Sequence, residues 1–142
     1  MTAKSPVNIR KFSVADMHQI LAIEAQAAPK TALSREIFLS YAKSFPDTFI
    51  VLESGKDVAG YIIFDLNGHV HSTVVKPVYR RKGFGTLLFM YALNRTSQKN
   101  VWLEVRSRNI GAIAFYKNLG LRIIGKIPNY YGNDDALVMV RI

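Results

Sequence analysis

The sequence contains no cysteine and no long apolar run, and acidic residues are scarce, with ten Asp and Glu against nineteen Lys and Arg. The absence of cysteine excludes a disulfide framework, a thiolate metal site and a cysteine nucleophile. No apolar run reaches the roughly 18 residues that a membrane-spanning helix needs, and the N-terminus lacks the apolar segment of a signal peptide. These absences predict a cytoplasmic protein without membrane contact.

The composition is that of an ordinary globular protein, because 49% of the residues are hydrophobic and 20% are charged. One domain spanning residues 1–142 is expected. The formal net charge of +9 favours a polyanionic partner, such as nucleic acid, an anionic membrane or a phosphate-bearing cofactor. Only the cations from Arg80 to Lys82 adjoin a glycine motif. This placement favours a small phosphorylated ligand over specific nucleic-acid binding, and it leaves a ribosome-associated role open.

Capping residues and hydrophobic periodicity predict the element order β-α-α-β-β-β-α-β-α-β-β. This order indicates a mixed α/β fold in which about four helices pack on both faces of one sheet of about seven strands. Ser13, Ser34 and Asn109 are typical N-caps of three helices, and Gly120 is placed to end the last one. The two strands that flank the remaining helix are expected to be parallel. The strands predicted after the first are Thr48–Glu53, Val58–Phe64, His69–Lys76, Val101–Arg106, Leu121–Gly125 and Ala136–Arg141.

A glycine motif lies between a predicted strand and the third helix, in the segment VYRRKGFGTLLFMYAL (Val78–Leu93). Gly83 and Gly85 allow a close backbone approach, and a helix N-terminus presents unpaired N–H groups that favour an anion. The motif lacks the Gly-Lys-Ser/Thr ending of a P-loop and the three glycines of a dinucleotide fingerprint. It therefore predicts a phosphate site of another kind, or else a plain glycine turn beside a solvated basic surface.

Three blocks of the chain resemble the GCN5-related N-acetyltransferases. The motif Arg80-x-x-Gly83-x-Gly85 after VVKP resembles the acetyl-CoA pyrophosphate loop of that superfamily, and LEVRSRNIGAIAFYKNLGL (Leu103–Leu121) resembles its next block. The tail NYYGNDDALVM (Asn129–Met139) is similar to that of N-terminal α-amino acetyltransferases. These include the bacterial RimI type, which modifies a ribosomal-protein alanine, and the related archaeal cotranslational enzymes.

The resemblance implies that an amine attacks the thioester carbon of acetyl-CoA directly, without a metal ion. In such enzymes the pyrophosphate binds backbone N–H groups of the glycine loop, and the pantetheine arm pairs with a strand. One N–H group of that strand, here that of Val75, would stabilise the oxyanion, and Asn109 would both cap its helix and contact the cofactor. The cofactor-binding residues implied are Thr73, Val74, Val75, Arg80, Arg81, Lys82, Gly83, Phe84, Gly85, Thr86, Asn109 and Tyr116.

The resemblance also implies two acid–base residues. Glu104 lies in the apolar strand VWLEVR, where strand alternation places it on the same face as Trp102 and Arg106. Its implied role is that of the general base, and the alternatives are a structural ion pair with Arg106 or a solvated position at a strand edge. Tyr116, beside Phe115, would be the general acid that stabilises the leaving CoA thiolate, or else a core aromatic residue.

Two histidines lie at alternate positions of one predicted strand. Strand alternation places His69 and His71 on the same face as Thr73 and Val75. Two histidines at this spacing are compatible with a metal site, but the sequence shows no third ligand at a suitable spacing. A structural role is therefore expected, with His69 in reserve as a proton relay.

The substrate-binding residues implied are Leu33, Tyr130 and Tyr131. In similar enzymes such a tyrosine pair clamps the substrate N-terminus, and its position in the loop KIPNYYGNDD favours function; hydrophobic anchoring of the loop is the alternative. Leu33 belongs to the segment APKTALS (Ala28–Ser34), where bacterial relatives have a Pro-Trp-Ser motif. The missing tryptophan is expected to change substrate preference more than reaction type.

Three other functions stay open from the sequence. A lysine or small-amine acetyltransferase would have the same fold, whereas a basic RNA- or ribosome-binding module, or a CoA-binding sensor, would need neither Glu104 nor Tyr116. Keeping an α-amine neutral at pH 7 costs about 1.4 kcal/mol, against about 4.6 kcal/mol for a lysine. The expected substrate is therefore a protein or peptide N-terminus, and the expected assembly is a monomer or weak homodimer.

Overall fold

The computed structural model describes residues 6–141, in which the chain forms seven strands and four helices. The strands are β1 Val7–Lys11, β2 Phe49–Ser54, β3 Asp57–Phe64, β4 Val70–Val75, β5 Val101–Arg106, β6 Arg122–Ile127 and β7 Ala136–Arg141. The helices are α1 Met17–Ala27, α2 Arg35–Ser44, α3 Phe84–Arg95 and α4 Ile110–Asn118, with short 3-10 turns at Val14–Asp16 and Pro77–Tyr79. This confirms the predicted order and fold class.

The predicted helix boundaries are set by local capping. Ser13 and Asp16 form a capping box at the turn that precedes α1. The side chains of Ser34 and Asn109 each accept a backbone N–H at the start of α2 and α4. Gly120 follows α4 with a φ of 92°, a left-handed conformation that glycine adopts without a steric penalty.

The strands form two sheets, which refines the expected single sheet. One sheet has the order β1-β2-β3-β4, and the other has the order β5-β7-β6. Within the part of the chain that the structure describes, they meet at one parallel bridge between His69 and Trp102. At this bridge the Trp102 N–H donates to the Gly68 carbonyl at 2.9 Å. The parallel direction predicted for β4 and β5 is therefore confirmed, and the two strands diverge beyond the bridge.

Two hydrophobic clusters hold the helices on opposite faces of the first sheet. Ile20 of α1 and Phe38 of α2 pack with Tyr61 on one face, whereas Leu88 and Phe89 of α3 belong to the cluster on the other. All five side chains are essentially buried. Burial of one such apolar side chain contributes about 1.5–3 kcal/mol, so each helix is fixed firmly against the sheet. Strand β4, at the edge of this sheet, therefore lies between α1 and α2 on one face and α3 on the other.

A β-bulge in β4 changes which side chains share a face. Phe64 pairs with Val70 and Ile63 pairs with Ser72, so His71 is the extra residue on its strand. Val75 packs against the cluster beside α3, whereas His71 stacks with aromatic rings on the α2 side. The expectation that the histidines share a face with Thr73 and Val75 is therefore wrong, because the bulge reverses the alternation.

Candidate active site

The open edge of β4 lines a gap between the two sheets. The Lys76 N–H donates to the Ala59 carbonyl at 2.7 Å, which fixes the hydrogen-bonding phase of the β3–β4 ladder. By antiparallel alternation, the N–H groups of Thr73 and Val75 point away from β3 and into the gap. Among the described residues, no strand pairs with this edge beyond the bridge at His69. The backbone predicted to hold the cofactor arm and the oxyanion is thus unpaired there.

The glycine loop joins β4 to α3 and has two left-handed residues. Arg81 has a φ of 64° and Gly83 a φ of 80°, and Gly83 is the N-cap of α3. Left-handed residues in such a turn bring successive N–H groups together into an anion-binding concavity. The first-turn N–H groups of α3, which include those of Phe84 and Thr86, add the positive end of the helix dipole. The backbone geometry therefore fits a pyrophosphate.

The two glycines of the motif have different structural reasons. A Cβ atom on Gly83 would meet nothing within 4 Å, so the positive φ and the open space beside it account for glycine there. A Cβ on Gly85 would lie 2.7 Å from the ring of Phe115, so this glycine lets α4 pack against α3. Phe84 turns its ring into the core and leaves its backbone at the helix start. The side chains of Arg80 and Lys82 are exposed beside the loop.

Tyr116 lies on α4 with its ring partly buried against the main core. Desolvation by the surrounding protein, with a smaller contribution from Tyr131, raises the pKa of Tyr116 to about 12. The phenol therefore stays protonated at every physiological pH. Among the described residues, no hydrogen bond engages its hydroxyl, which leaves the O–H group free to donate to a ligand. Asn109 accepts the Ala112 N–H at 3.1 Å, as predicted for the helix cap.

Glu104 pairs with a histidine on the neighbouring strand. Its Oε2 atom lies 2.7 Å from Nε2 of His69, and both side chains are mostly buried, at 16% and 19% exposure. The His69 ring stacks on Trp102 with a centroid distance of 4.0 Å and an interplanar angle of 6°, which holds the imidazole in place. The alternative of an ion pair between Glu104 and Arg106 is wrong, because Arg106 lies over the Tyr131 ring at 4.2 Å.

An aromatic wall faces the carboxylate of Glu104. Tyr130 and Tyr131 meet edge to face with ring centroids 4.9 Å apart, and the ring of Tyr41 on α2 lies 5.7 Å from that of His71. Desolvation raises the pKa of Tyr41, and the nearby Tyr130 and Glu104 add to the increase. The same causes raise the pKa of Tyr131. Tyr41 and Tyr131 are therefore neutral beside Glu104. Sequence reasoning missed Tyr41, since its helical position resembled that of a core residue.

A hydrogen-bonded acidic pair fixes the loop that carries Tyr130 and Tyr131. Asp134 bonds the Ser107 hydroxyl and accepts the Arg108 N–H at 3.2 Å, and Asp135 accepts the Asn129 N–H at 2.7 Å. The Ser107 hydrogen bond is the main cause that lowers the pKa of Asp134. The tyrosine loop is thus tied to the segment that joins β5 to α4, and its position depends on where β5 ends.

Leu33 is held by a buried carboxylate that sequence reasoning did not single out. Glu24 of α1 is 4% exposed, and its Oε2 atom accepts the Leu33 N–H at 2.9 Å. The Tyr61 hydroxyl donates to the other oxygen at 2.8 Å and lies 2.7 Å from the Ser72 hydroxyl. One chain of hydrogen bonds therefore links the α1–α2 loop to β4.

The structure also brings Asp65 to the two histidines. Its Oδ2 atom lies 3.1 Å from Nε2 of His71, and the potential ligand atoms of Asp65, His69 and His71 all lie within 4.8 Å of one another. The expectation that no third potential ligand accompanies the histidines is therefore wrong. Asp65 begins the turn between β3 and β4, so its proximity depends on the hairpin rather than on spacing along the chain.

Comparison with known proteins places this geometry in a family. The Acetyltransferase (GNAT) family model matches residues 14–121. An uncharacterized N-acetyltransferase of Methanocaldococcus jannaschii is 35% identical over 94% of this chain and 90% of its own length. An N-alpha-acetyltransferase of Sulfurisphaera tokodaii is 30% identical over 92% of this chain and 90% of its own.

A solved structure shows the same fold. Ard1 from Thermoplasma volcanium superposes with a TM-score of 0.84 at 30% identity, over 96% of this chain and 97% of that one. Within residues 6–141, none of the helices is long and apolar enough to cross a membrane. The family match, the relatives and the shared fold together establish that the chain belongs to the acetyltransferase (GNAT) family and uses acetyl-CoA as its acetyl donor.

Proposed function

We propose that this acetyltransferase transfers the acetyl group of acetyl-CoA to the α-amino group at the N-terminus of a protein or peptide. The observation that carries the proposal is the pairing of Glu104 with His69 at the apex of the gap, opposite the aromatic wall of Tyr41, Tyr130 and Tyr131. The similarity to the N-alpha-acetyltransferase of S. tokodaii supports the choice of an α-amine.

The cofactor end of the proposed site is made of backbone. N–H groups of the glycine loop from Arg81 to Thr86 bind the pyrophosphate, and the exposed cations Arg80 to Lys82 add attraction at longer range. The unpaired edge of β4 from Thr73 to Val75 binds the pantetheine arm as an added strand does. The Asn109 side chain stays with its helix and presents the start of α4 to the cofactor.

The chemistry requires a base, an oxyanion donor and an acid. Glu104, oriented by His69, removes a proton from the incoming amine directly or through one water molecule. The amine nitrogen then bonds to the thioester carbon, and the N–H of Val75 donates to the oxygen as negative charge develops on it. When the C–S bond breaks, the Tyr116 hydroxyl donates a hydrogen bond to the leaving sulfur. With a pKa of about 12, this phenol is a much weaker acid than a thiol near 8.5, so it keeps its own proton and stabilises the departing thiolate through the hydrogen bond.

The substrate end of the proposed site selects a free N-terminus. Tyr130 and Tyr131 clamp the first residue, and Leu33 lines the facing loop. A narrow aromatic entrance admits a backbone terminus, whereas a lysine would need a channel for its long aliphatic stem. The net charge of +9 favours attraction to the ribosome, an anionic particle from which new N-termini emerge in the cytoplasm. The enzyme would act there as a monomer or weak homodimer.

The test is a competition assay read by mass spectrometry. The protein is incubated with acetyl-CoA and an equimolar panel of peptides, half with free N-termini and no lysine, half with blocked N-termini and one internal lysine. Acetylation of the free N-termini at a rate at least tenfold above the lysines is expected, and Glu104→Gln should lower that rate by about 10²-fold or more at pH 7. Faster modification of the lysines would assign the enzyme to the lysine class. If no amine is acetylated, the protein binds CoA without acting as an acetyltransferase, and the proposed function is wrong.

A further inference from the structure

Four side chains that can act as metal ligands lie in a row where the two sheets separate, beside the bridge between His69 and Trp102. The row runs from Asp65 through His71 and His69 to Glu104. Asp65 Oδ2 lies 3.1 Å from Nε2 of His71, and Glu104 Oε2 lies 2.7 Å from Nε2 of His69. The centroids of the two imidazole rings are 4.2 Å apart. The acetyl-transfer chemistry above uses Glu104 and His69 but gives no task to His71 or Asp65.

The fold holds Asp65 firmly beside the histidines. Its Oδ1 atom accepts the Asn67 N–H at 2.9 Å and the His69 N–H at 3.3 Å, while its own N–H donates to the His69 carbonyl at 3.0 Å. These bonds direct Oδ2 towards His71. The bulge at His71 turns that ring to the same side as His69. The three ligand atoms are thus brought together by a hydrogen-bonded hairpin turn and a bulge.

We propose that Asp65, His69 and His71 form a binding site for a divalent transition-metal ion, with Zn²⁺ as the best fit. Their ligand atoms lie within 4.8 Å of one another, and Zn²⁺ binds nitrogen and oxygen at about 2.0–2.2 Å, so small side-chain rotations close the three ligands around one ion. The three side chains are partly exposed, which gives the ion a path from solvent. Glu104 or a water molecule supplies the fourth ligand.

Metal binding at this site inhibits acetyl transfer, a consequence that rests on the proposed function. His69 cannot orient Glu104 while its Nε2 atom is bound to the ion, and the ion stands where the amine proton must leave. Imidazole ligands select Zn²⁺, Cu²⁺, Ni²⁺ and Co²⁺, whereas Mg²⁺ and Ca²⁺ prefer sites made entirely of oxygen. The inhibition should therefore respond to Zn²⁺ and not to Mg²⁺, and a chelator should reverse it.

Trp102 offers a direct readout of binding. It is the only tryptophan of the chain, and its indole stacks on the His69 ring at 4.0 Å. Titration of the metal-free protein with Co²⁺, a paramagnetic ion that quenches tryptophan fluorescence, should give saturable quenching that Zn²⁺ competes away. Calorimetry with Zn²⁺ should give one site per chain. An excess of Mg²⁺ should change neither signal.

Variants connect the signal to the cluster. His71→Gln and Asp65→Asn should each weaken Zn²⁺ binding at least tenfold, since even the loss of a group that only supports a ligand costs about 10–100-fold in metal affinity. The matched control is His18→Gln, because His18 is an exposed histidine on α1 outside the cluster, and this variant should bind like the wild type. Wild-type Zn²⁺ affinity in folded His71→Gln protein, or a Co²⁺ titration that leaves Trp102 fluorescence unchanged, would overturn the site.

The activity assay separates this inference from the proposed function. Zn²⁺ should inhibit the wild type, and His71→Gln should acetylate at the wild-type rate without metal and need at least tenfold more Zn²⁺ for the same inhibition. Stoichiometric Zn²⁺ binding without loss of activity would overturn the inhibitory role. The protein could instead bind Zn²⁺ through His71 and yet acetylate no amine when a chelator keeps it metal-free. That result would uphold the metal site and overturn the proposed function.

Discussion

The Nε2 atom of His69 lies 2.7 Å from the Oε2 atom of Glu104, across the point at which the two sheets separate. Glu104 follows Trp102 by two residues, and Trp102 is both the backbone bridge partner of His69 and its stacking partner. The position of the imidazole relative to the carboxylate is therefore fixed by main chain and side chain together. We interpret His69 and Glu104 as one proton-accepting unit, in which the histidine positions the carboxylate and receives part of the charge.

Replacement of Glu104 by Gln should lower turnover by about 10²–10⁴-fold at pH 7, the range that general acid–base catalysis contributes. Part of the activity should return as pH rises towards 9, because a substrate α-amine with a pKa near 8 becomes neutral without help from a base. The measurement is a pH–rate profile in the presence of chelator, with Glu36→Gln, an exposed glutamate of α2, as control.

The partnership with His69 is tested by a double-mutant cycle. His69→Gln should lose less activity than Glu104→Gln, and the double variant should be no worse than Glu104→Gln alone, because residues that act as a unit are not additive. An unchanged pH–rate profile in Glu104→Gln, or fully additive losses in the cycle, would contradict a shared role in accepting the proton.

Tyr116→Phe should lower turnover about 100-fold with little change in KM, because the hydroxyl acts on the sulfur mainly in the transition state. The pKa of about 12 keeps the phenol protonated up to high pH, so the wild type should show no loss of activity from this group between pH 7 and pH 10. Steady-state kinetics check both statements. Tyr91→Phe on α3, a partly buried ring that contacts Arg95, is the matched control. Wild-type turnover in Tyr116→Phe would leave Tyr116 as a packing residue.

Gly83→Val should weaken acetyl-CoA binding more than tenfold, which corresponds to about 1.4 kcal/mol. The φ of 80° disfavours a branched side chain, and the added carbons would occupy the open space beside the loop. Calorimetry measures the affinity, and circular dichroism checks that the variant is folded. Gly125→Val in β6 is the control, because a Cβ there also meets nothing within 4 Å and its φ is not positive. Equal affinities in the two folded variants would argue against the loop as the pyrophosphate site.

The sequence predicted the features that depend on neighbouring residues and missed those that depend on distant ones. Ser13, Ser34 and Asn109 cap helices through bonds within three residues of themselves, and such signals can be read from the chain. The proximity of Asp65 to His71 depends on a bulge and a hairpin turn, which leave no periodic pattern.

The same limit applies to the carboxylate that holds Leu33 and to the partner of Glu104. Glu24 resembles an ordinary helical glutamate until α1 packs on the sheet and brings it to Tyr61, 37 positions further along the chain. The separation between Glu104 and His69 is 35 positions, and strand alternation alone suggested Arg106 instead. The resemblance singled out Glu104 as the proposed base, whereas its partner His69 became apparent only from the three-dimensional arrangement of the two sheets.

Glu24→Gln should destabilise the fold by about 1–3 kcal/mol, because an amide cannot accept from both the Leu33 N–H and the Tyr61 hydroxyl as the carboxylate does. Release of Leu33 should also loosen the α1–α2 loop and raise the KM for peptide more than the KM for acetyl-CoA. Thermal unfolding and steady-state kinetics measure the two effects, with Glu36→Gln as the exposed control. A fold of unchanged stability, or equal rises in both KM values, would show that the buried bonds of Glu24 do not position Leu33 for peptide binding.

The final prediction concerns the first residue of the substrate. Tyr131 is held by Arg106, whose guanidinium lies over its ring. Tyr130 meets Tyr131 edge to face and is 50% exposed, so the Tyr130 ring is the one that defines the entrance. The wild type should therefore prefer Ser, Ala, Thr, Gly or an intact Met at the first position over bulky branched residues. The absence of tryptophan from the Ala28–Ser34 segment should make this preference broader than that of the bacterial relatives.

Tyr130→Ala should remove that preference by opening the entrance. The ratio of kcat/KM for a peptide that begins with Ser to one that begins with Ile should fall by about tenfold, the lower end of what one or two methylene groups provide in an apolar pocket. Tyr130→Phe is the matched variant: it keeps the ring, so it should keep the wild-type ratio. If Tyr130→Ala keeps the wild-type ratio, the ring does not define the entrance. If Tyr130→Phe loses it, the hydroxyl binds the N-terminus through a hydrogen bond and size exclusion is not the basis of selection.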